Sequence, residues 1–177
     1  PFPLSQTSTI GGQPSGHAAP RSDLDTMLNV GTPAPDLTGE LDDGSTFNLA
    51  DYRGRQPVVL YFYPKDFTGG CTRQACSFRD NYGEITRRGA LLVGVSSDDA
   101  DRHTAFRDRH QLPFPLLADP AGTAIEAFDA KGPFGIGKAR VTYVIDREGI
   151  IRSVIRHDLR VDRHVPDVVA ALDALNP

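Results

Sequence analysis

The chain has 177 residues, of which 39% are hydrophobic and 24% charged, and a formal net charge of −4. That mixture suits one soluble globular domain with a sizeable core rather than a disordered or membrane chain. The negative balance argues against nucleic acid as a partner, no apolar run is long enough to span a bilayer, and the N-terminus lacks the layout of an uncleaved signal peptide.

Residues 1–26 hold Pro1, Pro3, Pro14 and Pro20 among Gly, Ser and Thr, with little that could pack. Burial there cannot offset ordering entropy, so a flexible tail is expected, followed by one domain over 27–177. The single methionine, Met27, stands where the tail ends. This fits a native start with added residues before it and equally the remnant of a processed leader.

Alternating strands and helices begin after Val30. Asp36–Leu41 and Ser45–Leu49 flank Asp42-Asp43-Gly44, a turn signal, and predict an N-terminal β-hairpin. The continuous apolar run Val58–Tyr63 stops at Pro64 and predicts a central strand buried on both faces. A helix is expected from Thr72 to Arg88, ended by Gly89, and a second buried strand over Leu91–Val95. Asp98 or Asp99 caps a helix that runs to His110. The cluster Arg102–His110, which includes Asp108, reads as a solvated helix face. Leu112–Leu117 leads into the turn Asp119-Pro120-Ala121-Gly122 and a short helix over Thr123–Phe128. Val141–Ile145 and Ile150–Arg156 form a hairpin around Asp146-Arg147-Glu148-Gly149. Val165, Val168, Val169, Leu172 and Leu175 recur at helical spacing and predict a last helix. The fold class is α/β, a central mixed β-sheet flanked by helices.

Two cysteines carry the chemistry, Cys71 and Cys76. Their spacing fits neither a zinc knuckle nor the Cys-x-x-Cys motif, and His103, His110, His157 and His164 form no ligand pattern and read as surface histidines. Two such cysteines could simply be buried hydrophobes. Position favours a reactive Cys71. A buried strand gives way, through Pro64–Gly70, to a helix that starts beside Cys71. Reactive groups in open α/β sheets gather at strand carboxyl ends, and a helix N-terminus stabilises a thiolate. Gly69 and Gly70 let the backbone turn tightly and bring amides close to a small ligand, and Thr68 offers a hydroxyl to it.

The run Pro64-Lys65-Asp66-Phe67-Thr68-Gly69-Gly70-Cys71 resembles the Pro-x-x-x-Thr-x-x-Cys motif of peroxiredoxins. Tyr61-Phe62-Tyr63-Pro64-Lys65-Asp66 and Cys71-Thr72-Arg73-Gln74-Ala75-Cys76 are similar to the PrxQ branch, the bacterioferritin comigratory proteins. The likeness continues through Phe78-Arg79-Asp80, Gly94-Val95-Ser96, Leu112–Leu117 and Arg140–Asp146, and spans Val30 to Leu175. It implies a thioredoxin-like fold and reduction of hydrogen peroxide or organic hydroperoxides. Cys71 would be the peroxidatic cysteine, and Cys76 the resolving one, forming an intramolecular disulfide. Thr68 and Arg140 would be the peroxide-activating pair, with Pro64 shielding the thiolate and Gln74 fixing the arginine. Without the resemblance, Arg140 reads as a surface charge. With it, a permanently charged fork of donors can favour the thiolate and orient the peroxide. Gly69 stands where many relatives have Pro, which is expected to loosen the loop.

The resemblance implies no cofactor and thioredoxin as transient electron donor; a monomer is expected, and the reducible cysteine pair fits a cytoplasmic setting, although a periplasmic relative would look identical. Gly132–Lys138 nearly spells a phosphate-binding loop, but Ala139 follows in place of the Ser or Thr that loop requires, and a strand follows in place of a helix. Its glycines are expected to make a mobile loop delivering Arg140. Rival readings are a thiol–disulfide oxidoreductase acting on proteins and a non-enzymatic holdase. Within one helix, residues five apart have Cα atoms roughly 8–9 Å from each other, beyond the ~7 Å reach of a disulfide. A bond between Cys71 and Cys76 therefore requires the helix to unwind.

Overall fold

The first two strands, β1 (Thr38–Leu41) and β2 (Thr46–Asn48), pair antiparallel across the Asp42-Asp43-Gly44 turn. Gly44 takes φ 82°, and Asp43 accepts hydrogen bonds from the Ser45 amide and hydroxyl, which closes the turn. The computed structural model describes residues 28–132 and 137–175. The expected tail, residues 1–26, and Met27 lie outside the described residues, as do residues 133–136 of the glycine-rich loop.

Strand β3 (Val58–Phe62) is buried along its whole length, as its unbroken apolar run predicts. It pairs parallel with β4 (Leu91–Ser96), which in turn pairs parallel with β5 (Leu116–Ala118). On its other side β3 pairs antiparallel with β6 (Val141–Ile145), and β6 with β7 (Ile151–Arg156). Among the described residues the result is a seven-stranded mixed sheet in the order β2-β1-β5-β4-β3-β6-β7.

Among the described residues five α-helices cover the sheet: α1 (Gly69–Asp80), α2 (Tyr82–Arg87), α3 (Ala100–His110), α4 (Thr123–Ala127) and α5 (His164–Leu175). The alternation of a strand divides the core into two layers. Val58, Leu60 and Phe62 pack with Phe47, Ile125 and Phe128. Val59, Tyr61 and Tyr63 pack on the opposite face with Cys71, Phe78, Phe106, Val168 and Leu172. Cys71 is thus a core residue of the second layer, 1% exposed.

The structure corrects the sequence reading in several places. The helix expected over Thr72–Arg88 is two helices, and it begins at Gly69. Asn81 causes the break: its Nδ2 donates to the Ser77 carbonyl at 2.9 Å, and its backbone leaves the helical region (φ −113°, ψ 14°). An amide side chain that competes for a helix carbonyl has this effect. Of the two caps expected for α3, Asp98 or Asp99, the second is the one observed, accepting from the Arg102 amide.

The histidines depart further from expectation. His103 and His164 are fully buried, while His110 and His157 are half-buried. His103 shares the inward stripe of α3 with Phe106. His164 meets the Thr142 hydroxyl at Nδ1 (2.9 Å) and the His157 carbonyl at Nε2 (3.2 Å). Burial pushes its pKa down to about 4, so it is neutral near pH 7. A period read from apolar residues alone misses polar residues whose hydrogen bonds are satisfied inside. Nor is the basic cluster of α3 wholly solvated: Arg102 pairs with the buried Asp98 at 2.9 Å and Arg107 with the buried Asp42 at 2.6 Å.

Candidate active site

Thr68 is the N-cap of α1, and Gly69, Gly70 and Cys71 are its first three helical residues. The first backbone bond runs from the Thr72 amide to the Thr68 carbonyl at 2.8 Å, so the preceding amides have no intrahelical partner. No acidic residue occupies the first turn and no side chain caps it. The positive end of the helix is therefore left to the Cys71 sulfur and whatever binds beside it.

The loop from β3 to α1 turns at Phe67, which takes φ 61°. A non-glycine residue there costs about 1–3 kcal/mol and persists only where its surroundings hold it. The sequence reading gave the tight turn to Gly69 and Gly70, but neither has positive φ; both are helical. Pro64, half-buried, opens this loop directly after Tyr63, whose amide donates to the Val95 carbonyl at 3.1 Å. Thr68 donates its hydroxyl proton to the Lys65 carbonyl at 3.0 Å, which leaves the oxygen's lone pairs as acceptors.

Arg140 reaches this helix start from the residue before β6. Its backbone amide is held by Asp158 at 3.0 Å, and its Nη1 donates to Cys71 Sγ at 3.3 Å and to Gln74 Oε1 at 3.3 Å. The antiparallel pairing of β3 with β6 makes this possible, because Phe62 faces Val141 and so places the end of one strand beside the start of the other. Gly70 has a different reason to be glycine than the one expected. A Cβ there would lie 2.5 Å from Arg140 Nη2. The absent side chain is the space the guanidinium occupies. Gln74 is fully buried on the next turn, and its Nε2 has no partner among the described residues.

Both cysteines are free, Cys71 buried and Cys76 partly exposed, and both lie on the continuous helix α1. In that form they cannot bond, for the reason of distance given above. Gly70, Cys71, Gln74 and Arg140 converge on one spot at the carboxyl end of β3, and Thr68 stands at the N-cap three residues before Cys71, with its hydroxyl on Lys65. Cys76 lies further along the helix, and Pro64 at the loop's start.

A group that sequence reasoning missed lies behind the loop. Asp66 is buried and meets both Tyr63 and His103, separated from it by 37 residues in the chain. One signal was available: α3 has few apolar residues, and only His103 completes an inward stripe with Phe106.

Residues 30–154 match the AhpC/TSA family. The chain is 41% identical over 151 residues to Peroxiredoxin Bcp of Bacillus subtilis, covering 82% of this chain and 95% of that protein. It is similar in structure to peroxidoxin BcpB of Mycobacterium tuberculosis, with a TM-score of 0.78 and 32% identity over 85% of this chain and 99% of the other. It is also similar to the bacterioferritin comigratory protein of Xanthomonas campestris, whose structures concern alkyl peroxide reduction (TM-score 0.73, 32% identity, 78% and 91% covered). These relatives share the open mixed sheet with flanking helices, the thioredoxin-like arrangement. With a thiol, an arginine and a helix start brought together in that frame, the chain belongs to the AhpC/TSA family as a peroxiredoxin of the PrxQ and bacterioferritin comigratory branch, a thiol-dependent peroxidase.

Proposed function

We propose that the Cys71 thiolate attacks hydrogen peroxide or an organic hydroperoxide, and that Cys76 then resolves the product. The observation that carries this reading is Arg140 Nη1 at 3.3 Å from Cys71 Sγ, at a helix start with no cap. The sulfur attacks the distal oxygen and the O–O bond breaks. The leaving alkoxide or hydroxide takes a proton to become alcohol or water. Arg140 lies where negative charge grows on the leaving oxygen, and the Thr68 lone pairs can accept the hydroperoxide proton while it is oriented. Gln74 Oε1 limits the freedom of the guanidinium, the Gly70 gap admits it, and Pro64 shields the sulfur from water.

Cys71 is left as a sulfenic acid. After α1 unwinds, the Cys76 thiolate attacks the Cys71 sulfur, the S–O bond breaks and water leaves with a disulfide formed. Two electrons from a dithiol donor, thioredoxin, restore both thiols. The working unit in this scheme is a monomer, and a reducing cytoplasm would supply the donor.

The test is peroxide-dependent NADPH oxidation coupled through thioredoxin and its reductase. Turnover that requires peroxide, Cys71 and thioredoxin together supports the scheme. Thioredoxin that leaves the disulfide intact would remove it as the donor, and peroxide that leaves Cys71 unoxidised would remove the peroxidase assignment.

A further inference from the structure

We infer that His103, clamped to Asp66, is a positioning residue for the peroxide step: the buried pair fastens the loop between β3 and α1 onto α3 and so fixes Thr68 and the start of α1 against Arg140. The inference rests on the peroxidase reading above. Of the loop residues from Pro64 to Thr68, only Asp66 is buried, at 1% exposed. Lys65, Phe67 and Thr68 are open to solvent. Asp66 is therefore the loop's one buried anchor, beside the exposed Phe67 ring, which meets Phe106 edge-on at 5.2 Å.

Asp66 is tied at every polar group. Its carboxylate accepts from the Tyr63 hydroxyl at 2.7 Å and meets His103 Nδ1 at 2.7 Å. Its amide donates to Asp98 Oδ2 at 2.8 Å, and its carbonyl accepts from Arg102 Nη2 at 3.2 Å. Ser96 donates to the same Asp98 oxygen, which fixes it in turn. The other ring nitrogen of His103 faces the Leu117 carbonyl at 3.2 Å, a pure acceptor, so Nε2 carries a proton. The histidine thereby spans from the loop to β5.

The next residue along the loop is Phe67, in the left-handed region, and the one after it is Thr68, extended at φ −89°, ψ 147°. A strained backbone persists only if its neighbours hold it, and the Arg102 guanidinium, 5.2 Å over the Phe67 ring, belongs to the same set of contacts. An apolar cluster could fill this space equally well. It could not fix the direction in which the loop leaves Asp66, and a catalytic hydroxyl two residues away depends on that direction.

The experiment measures single-turnover oxidation of Cys71 by hydrogen peroxide in a Cys76→Ser background, quenched and read as one added oxygen by intact mass, beside urea unfolding of each protein. His103→Leu should slow oxidation at least tenfold. His103→Asn, which keeps an amide donor toward Asp66, should stay within threefold of the parent. The triple change Tyr63→Phe, Asp66→Leu and His103→Leu removes the hydroxyl, carboxylate and imidazole together and leaves none of the three without its partner, while the Asp98–Arg102 pair is kept, so its stability should approach the parent's, yet its oxidation should remain at least tenfold slower. A folded leucine or triple variant that reacts at the parent rate overturns the inference, as does an asparagine variant as slow as the leucine one. A parent that gains no oxygen at all removes the peroxidase reading itself, a result distinct from either.

Discussion

Gly70→Ala should cut peroxide reactivity without weakening the fold. The added Cβ would sit 2.5 Å from Arg140 Nη2 and 3.2 Å from Cζ, where carbon contacts are normally about 3.5–4.0 Å. The backbone of α1 is fixed by the core, so the guanidinium must recede by roughly 1 Å. Its Nη1 bonds to Cys71 and Gln74 are already 3.3 Å long, and that retreat breaks both. Losing a preorganised donor to developing charge costs about 2.7–4 kcal/mol, or two to three orders of magnitude in rate. Stability should move the other way, because Ala in a helix is favoured over Gly by about 0.8–1.0 kcal/mol and the displaced group is only the end of a flexible side chain. Gly69→Ala supplies the control, since nothing lies within 4 Å of a Cβ there. The assay is stopped-flow peroxide consumption for all three proteins, with urea midpoints measured alongside. A Gly70→Ala protein within fivefold of the parent rate would show that the Arg140 contact is not what activates Cys71.

The other perturbations address separate steps. Cys71→Ser should abolish peroxide consumption, whereas Cys76→Ser should gain one oxygen and then over-oxidise, as intact mass would show; the opposite pattern exchanges the two roles. Arg140→Ala or Thr68→Val should slow the attack by two to three orders of magnitude, read as the second-order rate with peroxide, and a change under fivefold removes that residue from the mechanism. Acid should destabilise the fold through His164: its pKa is about 4 when folded against 6.5 when unfolded, so the unfolded chain binds the extra proton between those values. Stability from this group should be intact above pH 6.5 and fall by up to about 3 kcal/mol toward pH 4, and His164→Gln should flatten that part of the urea-midpoint profile. Amide exchange over residues 70–80 should rise sharply on disulfide formation while β3 stays protected, and unchanged exchange in the oxidised protein would rule out unwinding.

Much of this arrangement is legible in the chain because local rules and tertiary ones agree there. The Val58–Phe62 run is apolar at every position and becomes a strand buried on both faces, and Asp42-Asp43-Gly44 and Asp146–Gly149 close the turns their residues favour. What escaped reading depends on contacts distant in sequence. Nothing near Gly70 indicates that its missing Cβ is filled by Arg140, seventy positions later. Asp66 and His103 look like a loop acid and a helix-surface base until the sheet places Leu117 and Tyr63 around them. The break at Asn81 was available in principle, since an asparagine inside a helix competes for carbonyls, but the apolar period continues across it and masks the signal.

The start of α1 has to meet two opposed demands, and its sequence reflects both. In the proposed scheme it must be helical for Cys71 to face Arg140, and it must come apart for Cys71 to reach Cys76. Two successive glycines each weaken a helix by roughly 0.5–1 kcal/mol relative to Ala, and the absent side-chain cap forgoes about 1 kcal/mol more. Together they make opening of this end about 2–3 kcal/mol easier than for a capped, alanine-containing helix. The cap is withheld by a residue fully able to make it: Thr68 donates its hydroxyl to Lys65 instead, which leaves its lone pairs uncommitted. The same choices would therefore leave the proposed catalytic groups uncommitted in the reduced state and lower the cost of the unwinding the scheme requires after oxidation. Gly69→Pro separates these two roles. Proline is favoured at a first helical position, the preceding Thr68 already has the extended backbone proline requires, and the site is open. It should leave the first oxidation of Cys71 unchanged while stabilising the folded helix by about 0.4–1 kcal/mol, slowing disulfide formation two- to fivefold and raising over-oxidation by the same factor. Disulfide formation as fast as in the parent, with the helix measurably stabilised, would mean that unwinding at Gly69 does not limit resolution.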